Sequence, residues 1–281
     1  MKRFMGGAGL LLAVACATAP ACAREGVEVG GNSAFSQLVP AAQVESSAGQ
    51  QYQQLLRQAQ EKGALAGADH PQLQRLRRIA KRLIPLSHDW NSRAREWRWE
   101  VNLIGSKQVN AFCMPGGKII FYTGILERLQ LSDDEVAMVM GHEIAHALRE
   151  HARERMGKSA ATNIGAGLLS QVLGFGSLGQ TLTNYGAELL TLKFSRENET
   201  DADLVGLELA ARAGFDPRAS ITLWQKMSAA NSGAPPQWLS THPSGTSRIE
   251  ELERSLPKVM PLYAKAPKPE RMFGPPASSK G

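Results

Sequence analysis

Two histidines four residues apart, with a glutamate beside the first, stand at Gly141-His142-Glu143-Ile144-Ala145-His146. On a helix, residues four apart share one face, a turn from each other. His142 and His146 can therefore hold one metal ion between them. Glu143 stands where it can take a proton from a water activated by that ion. This is the H-E-x-x-H spacing of zinc peptidases. The competing interpretation is two surface histidines and a solvated glutamate, and the rest of the chain has to decide between them.

A catalytic zinc takes three protein ligands and keeps one position open. A third histidine close behind the motif would need Gly where Arg149 stands and His where Ala152 stands. His151 is one residue short, and nine residues past His142 it falls about 900° round the helix. It is read as a surface residue on the opposite face. The other source of a ligand is Ser195-Arg196-Glu197-Asn198-Glu199-Thr200-Asp201-Ala202-Asp203. At about 100° per residue, Glu197 and Asp201 share a stripe with Glu208 and Arg212, a solvated face. Glu199 and Asp203 share one with Gly206, Leu207, Ala210 and Ala213, an inward face. Acids on an inward face are costly unless they bind a cation or are paired. Glu199 is thus assigned as third ligand. Asp203, one turn on, accepts a hydrogen bond from a ligating imidazole.

The elements that must carry these residues are legible in part. Ser132 and Glu135 form a capping box and Leu131 with Val136 a hydrophobic staple, so a helix opens there and runs into His142. Ahead of it, Trp97–Leu103 alternates like a half-buried strand. Val109–Met114 and Lys118–Tyr122 read as two more strands joined by a turn at Pro115-Gly116-Gly117. Ser47 is the expected cap of a first helix ending at Gly63, and Pro71 opens a second, basic one. Further helices are expected over Phe194–Gly214, after Asp216-Pro217, and around Ile249, Leu252 and Leu256. The fold class is α+β: a mostly helical zincin-like domain with a small antiparallel sheet beside the histidine helix.

Residues His142-Glu143-x-x-His146 with Ser195-Arg196-x-x-Glu199-x-x-Ala202-Asp203-x-x-Gly206 resemble the gluzincin zinc metallopeptidase family of HtpX, the CAAX prenyl protease and Oma-type proteases. The likeness is nearest to its periplasmic BepA- and LoiP-like branch and covers roughly residues 47–256. Asn110-Ala111-Phe112 and Ser240-Thr241-His242-Pro243 with Arg248-Ile249 extend it. The resemblance implies a zinc metalloendopeptidase with one zinc on His142, His146 and Glu199, and Glu143 as general base. It implies that His242 either blocks the zinc as a fourth ligand or assists the transition state, with Arg248 as a further oxyanion partner. A substrate strand would add along Asn110–Phe112. Membrane spans, as in HtpX-type members, and the repeat domain of BepA-type members find no counterpart in the sequence.

Composition sets the context. The 281 residues, 43% hydrophobic and 21% charged, suit a globular domain, and the net charge of +6 is concentrated in the leader and tail. No basic–aromatic motif accompanies it, so nucleic acid is not expected as a partner. Lys2-Arg3, the apolar run Met5–Ala15 and the small residues to Ala23 read as an export signal over residues 1–23, with lipidation at Cys16 as the alternative. The remaining divisions are a linker at 24–46, the peptidase domain at 47–256 and a disordered basic tail at 257–281. Cys113 is the one cysteine beyond the leader, which leaves no internal disulfide and marks it as a small apolar strand residue. The uncharged run 159–187 reads as a flank beside the site that could touch a membrane surface without crossing it. Periplasmic location, outer-membrane anchoring as an option, and unfolded or misassembled envelope proteins as substrates complete the expectation.

Overall fold

The computed structural model describes residues 24–172, 193–230, 237–242 and 246–275. The candidate leader, the later half of the uncharged run and the end of the tail lie outside them. Strands β1 (Glu100–Ile104), β2 (Ala111–Met114) and β3 (Lys118–Tyr122) form one sheet in the order β1-β3-β2. Gly116 and Gly117, both at positive φ, make the β2–β3 turn, a backbone shape that glycine adopts without strain. β2 pairs antiparallel with β3, from Ala111↔Phe121 to Met114↔Lys118. β1 pairs parallel with β3, from Glu100↔Lys118 to Ile104↔Tyr122. The sheet is therefore mixed rather than wholly antiparallel. The chain passes from β1 to the far edge through residues 105–110 before it turns back, so β1 and β3 run the same way. This leaves β2 as an edge strand.

Nine α-helices lie among the described residues: α1 (Ala41–Glu61), α2 (Pro71–Leu83), α3 (Thr123–Arg128), α4 (Asp133–Leu148), α5 (His151–Val172), α6 (Arg196–Arg212), α7 (Ala219–Ala230), α8 (Gln237–Thr241) and α9 (Thr246–Lys265). Ser132 and Glu135 complete the expected capping box of α4, and every residue from Val136 to Leu148 is buried. Ser195 caps α6 in the same way, with Asn198 as the reciprocal partner. α4 and α6 meet backbone to backbone: a Cβ on Gly206 would come within 2.6 Å of the His142 nitrogen, and one on Gly141 within 2.8 Å of the Gly206 oxygen. The two glycines thus set the distance between the histidine helix and the glutamate helix. Helix α9 continues past Leu256, through Pro257 and Pro261, because Val259 and Leu262 are buried and packing holds these turns despite the lost backbone donors.

The segment read as a linker is folded onto this core. Val27 is buried, and α1 opens at Ala41 after Pro40, ahead of Ser47. Glu208 on α6 has no exposure at all. It pairs with Arg24 at 2.6 Å and Arg212 at 2.7 Å, and accepts from the Val27 nitrogen at 2.8 Å. Of the stripe Glu197, Asp201, Glu208 and Arg212, read as a solvated face, Glu197 is exposed. The other three are not free in solvent: Asp201 is paired with Arg149, and Glu208 with Arg212 and the segment at Arg24–Val27. Arg75, on the basic face of α2, is likewise buried and bonds Asp133 at 2.5 Å. Among the described residues, no helix is long and apolar enough to cross a membrane.

Candidate metal centre

One turn of α4 sets the two histidine rings side by side. Their Nε2 atoms face each other at 3.0 Å, and Glu199 Oε1 and Oε2 lie 3.5 and 3.6 Å from His146 Nε2 and His142 Nε2. Ligands around a tetrahedral zinc stand about 3.3 Å apart, given bonds of about 2.0–2.1 Å. With His242, these donors all fall within 4.8 Å of one another, and all four residues are buried. His142 Nδ1 donates to Asp203 Oδ1 at 3.0 Å. That bond fixes the tautomer, so Nε2 presents a lone pair. Two such imidazoles turned toward a carboxylate make a repulsive cluster unless a cation sits among them. Glu199 Oε1 and His242 Nε2 are, in addition, buried without a hydrogen-bond partner. The donor set fits zinc.

Electrostatics agree. Burial pushes His146 and His242 well below the ordinary histidine range, and His142 below it too, against the pull of Asp203. Neutral imidazoles are the ligating form. Burial also pushes the Glu199 carboxyl up to about 8, against the charge of Arg248. Asp203 goes the other way: burial opposes ionisation, but the Arg248 charge and the bonds from His142 and Arg248 win and hold it at about 2. Glu143 is raised well above the usual carboxylate range by burial. The Trp238 indole, donating to Oε1 at 2.6 Å, pulls in the opposite sense.

Arg248 is a clamp between two helix-borne acids. Its Nη1 lies 2.7 Å from Glu199 Oε2, and its Nε and Nη2 donate to Asp203 at 2.7 and 2.8 Å. It therefore acts on the ligand and on the acid behind the other ligand. Asn110, Ala111 and Phe112 line a small cavity together with Glu143, His146, Phe194 and His242. Cys113 is buried in β2, as expected of an apolar strand residue.

His151 is not a surface residue. Helix α4 ends at Leu148, and Glu150 takes a left-handed conformation with φ 57°. The chain turns, and α5 starts at His151, so counting degrees through position 150 misplaces the ring. His151 Nδ1 lies 2.9 Å from His146 Nδ1, and its Nε2 lies 3.0 Å from Asp201 Oδ2. Trp238 and Phe194 were also missed. Phe194 stacks on His146 at 4.0 Å, and Trp238 on His242 at 4.7 Å. Trp238 carried a readable signal, because it precedes His242 by four residues, one helical turn.

Two histidines and a glutamate from two helices, with a second glutamate between the histidines, define a gluzincin-type metallopeptidase site. Comparison with known proteins agrees: the model of "Peptidase family M48" matches residues 71–256, and the chain belongs to that family. It is 37% identical over 193 residues to the mitochondrial metalloendopeptidase OMA1 of Schizosaccharomyces pombe, covering 68% of this chain and 55% of that one. The bovine mitochondrial OMA1 is 37% identical over 59% of this chain and 34% of its own length. The β-barrel assembly-enhancing protease of Escherichia coli is 31% identical, over 58% of this chain and 36% of its own. The chain thus spans between about a third and about half of the length of these relatives.

Proposed function

We propose that the chain is a zinc-dependent endopeptidase that cleaves misfolded or misassembled proteins of the cell envelope. The donor set with Glu143 at its side carries the reading. His142, His146 and Glu199 hold the ion. Bound zinc supplies a Lewis acid that lowers the pKa of water toward neutrality and polarises a peptide carbonyl. Glu143 accepts the proton of the attacking water and returns it to the leaving amine. His242 Nε2, unpartnered and 3.7 Å from Glu143 Oε1, faces the same space. Among the described residues, β2 carries no fourth strand on its outer edge, and an extended substrate can add there as a strand by displacing local bonds such as that of the Ala111 nitrogen to Asn110 Oδ1. The leader supports export, and the β-barrel assembly-enhancing protease among the relatives supports envelope substrates.

A gated version of this function has its own observation. The cavity shared by Glu143, His146 and β2 measures about 40 Å³, little more than one water. A peptide enters once side chains that line this cavity, such as Phe194 and His242, move aside. The decisive experiment measures zinc content and degradation of an unfolded protein in wild type, Glu143→Gln and His242→Ala. Retained zinc with abolished cleavage in Glu143→Gln is the expected result. Normal cleavage by that variant sinks the proposal. Faster cleavage by His242→Ala identifies it as a blocking group, and slower cleavage with unchanged zinc as an assisting one.

A further inference from the structure

The two metal-binding histidines are held from behind in different ways. His142 is tied directly to an acid, Asp203. His146 is tied to another imidazole. We propose that His151, oriented by Asp201, is the positioning residue for the His146 ligand, through a relay that runs Asp201–His151–His146. The inference rests on the assignment of His142, His146 and Glu199 as ligands, and it concerns how one of them is aimed.

Donor and acceptor counting fixes the relay. His146 turns Nε2 toward Glu199 and His142, so in the ligating tautomer its proton is on Nδ1. That N–H donates to His151 Nδ1 at 2.9 Å. His151 then carries its own proton on Nε2 and donates it to Asp201 Oδ2 at 3.0 Å. Every donor meets one acceptor, and the sequence runs in one direction only, ending on a carboxylate. Reversing it would put the His146 proton on the nitrogen that faces the site.

The supports of the relay are themselves anchored. His151 is 2% exposed, and the left-handed turn at Glu150 is what swings it back under His146. Arg149 Nε donates to the same Asp201 oxygen at 2.6 Å, and its Nη2 donates to the Gly30 carbonyl. The N-terminal segment is thereby linked, through one arginine, to the acid that orients the metal ligand. Partners of this kind fix the tautomer and angle of a ligating imidazole, and losing one typically costs 10–100-fold in metal affinity or activity.

The test is zinc affinity by chelator competition, read beside the visible spectrum of the cobalt-substituted protein. His151→Leu keeps bulk and removes both bonds, and its zinc affinity falls about 10–100-fold with a changed cobalt spectrum. His151→Gln can accept from His146 and donate to Asp201, and it restores both readings most of the way. Asp201→Ala leaves the ring in place but unoriented, and it weakens zinc binding by a smaller factor than His151→Leu. This variant carries the test if His151→Leu does not fold. Wild-type zinc affinity in His151→Leu or Asp201→Ala overturns the inference, as does His151→Gln binding no better than His151→Leu. His146→Ala serves as the control: if it keeps zinc, the ligand assignment itself fails, a result distinct from failure of the relay.

Discussion

Glu143 accepts a hydrogen bond from the Trp238 indole and is not one of the zinc donors, so its role is tested by removing its charge alone. Glu143→Gln lowers the rate of peptide cleavage by about 10²–10⁴-fold with zinc content unchanged, measured by metal analysis and a fluorogenic peptide. Glu199 gives a second test in the metal-free protein. Its folded-state pKa of about 8 lies above the usual value of 4.5. Between those values the folded form holds a proton that the unfolded form has lost, so stability falls as pH rises through that window. Above the ordinary histidine range, where the lowered pKa values of His142, His146 and His242 no longer add stability with pH, metal-free protein melts at a lower temperature at pH 8 than at pH 7, and zinc removes this loss; a melting temperature that rises from pH 7 to pH 8 contradicts it. Glu199 and Asp203 were readable from sequence because α6 is regular and helical phase separates them from Glu197 and Asp201. His151 was not, because phase carries no information across a left-handed residue.

Helix α4 supplies three site residues and α6 two, and their spacing is set by glycine. Gly206→Ala brings a Cβ within 2.6 Å of the His142 backbone nitrogen. The helices must separate, at an overpacking cost of about 1–3 kcal/mol, and Glu199 retreats from the histidines. Zinc affinity and thermal stability fall together in this variant, whereas Gly49→Ala, at a site with nothing nearby, leaves zinc affinity unchanged. Loss of stability without loss of zinc would show that the glycine contact does not set the ligand distance. The capping box of α4, the three strands and the turn at Gly116-Gly117 were legible because each has a local cause, whereas the Ser47 cap was not, since α1 already opens at Ala41. The parallel pairing of β1 with β3 was not, since it depends on where the 105–110 crossing lays the chain. Nor was the length of α9, where burial of Val259 and Leu262 overrides two prolines.

Across the whole molecule, the segment 24–33 does what composition alone could not reveal: it covers Glu208 in the charged stripe of α6. Glu208→Ala removes a buried carboxylate with two arginines and a backbone nitrogen on it, and destabilises the fold by about 1.5–3 kcal/mol. Urea unfolding reads that loss, while the zinc ligands stay as they are; a change below about 0.5 kcal/mol would mean the segment is not held through Glu208. Only the pairing makes sense of an otherwise costly buried charge, and no local pattern in residues 24–33 announces a partner so far along the chain. Val27 and Glu208 are 181 residues apart in sequence. The zinc donors and their clamp run from His142 to Arg248. In a chain made from its N-terminus, the earliest of these residues must wait for nearly the last before either is in place. A chain broken off before Arg248 therefore lacks the clamp that holds Glu199 and Asp203 behind the donors.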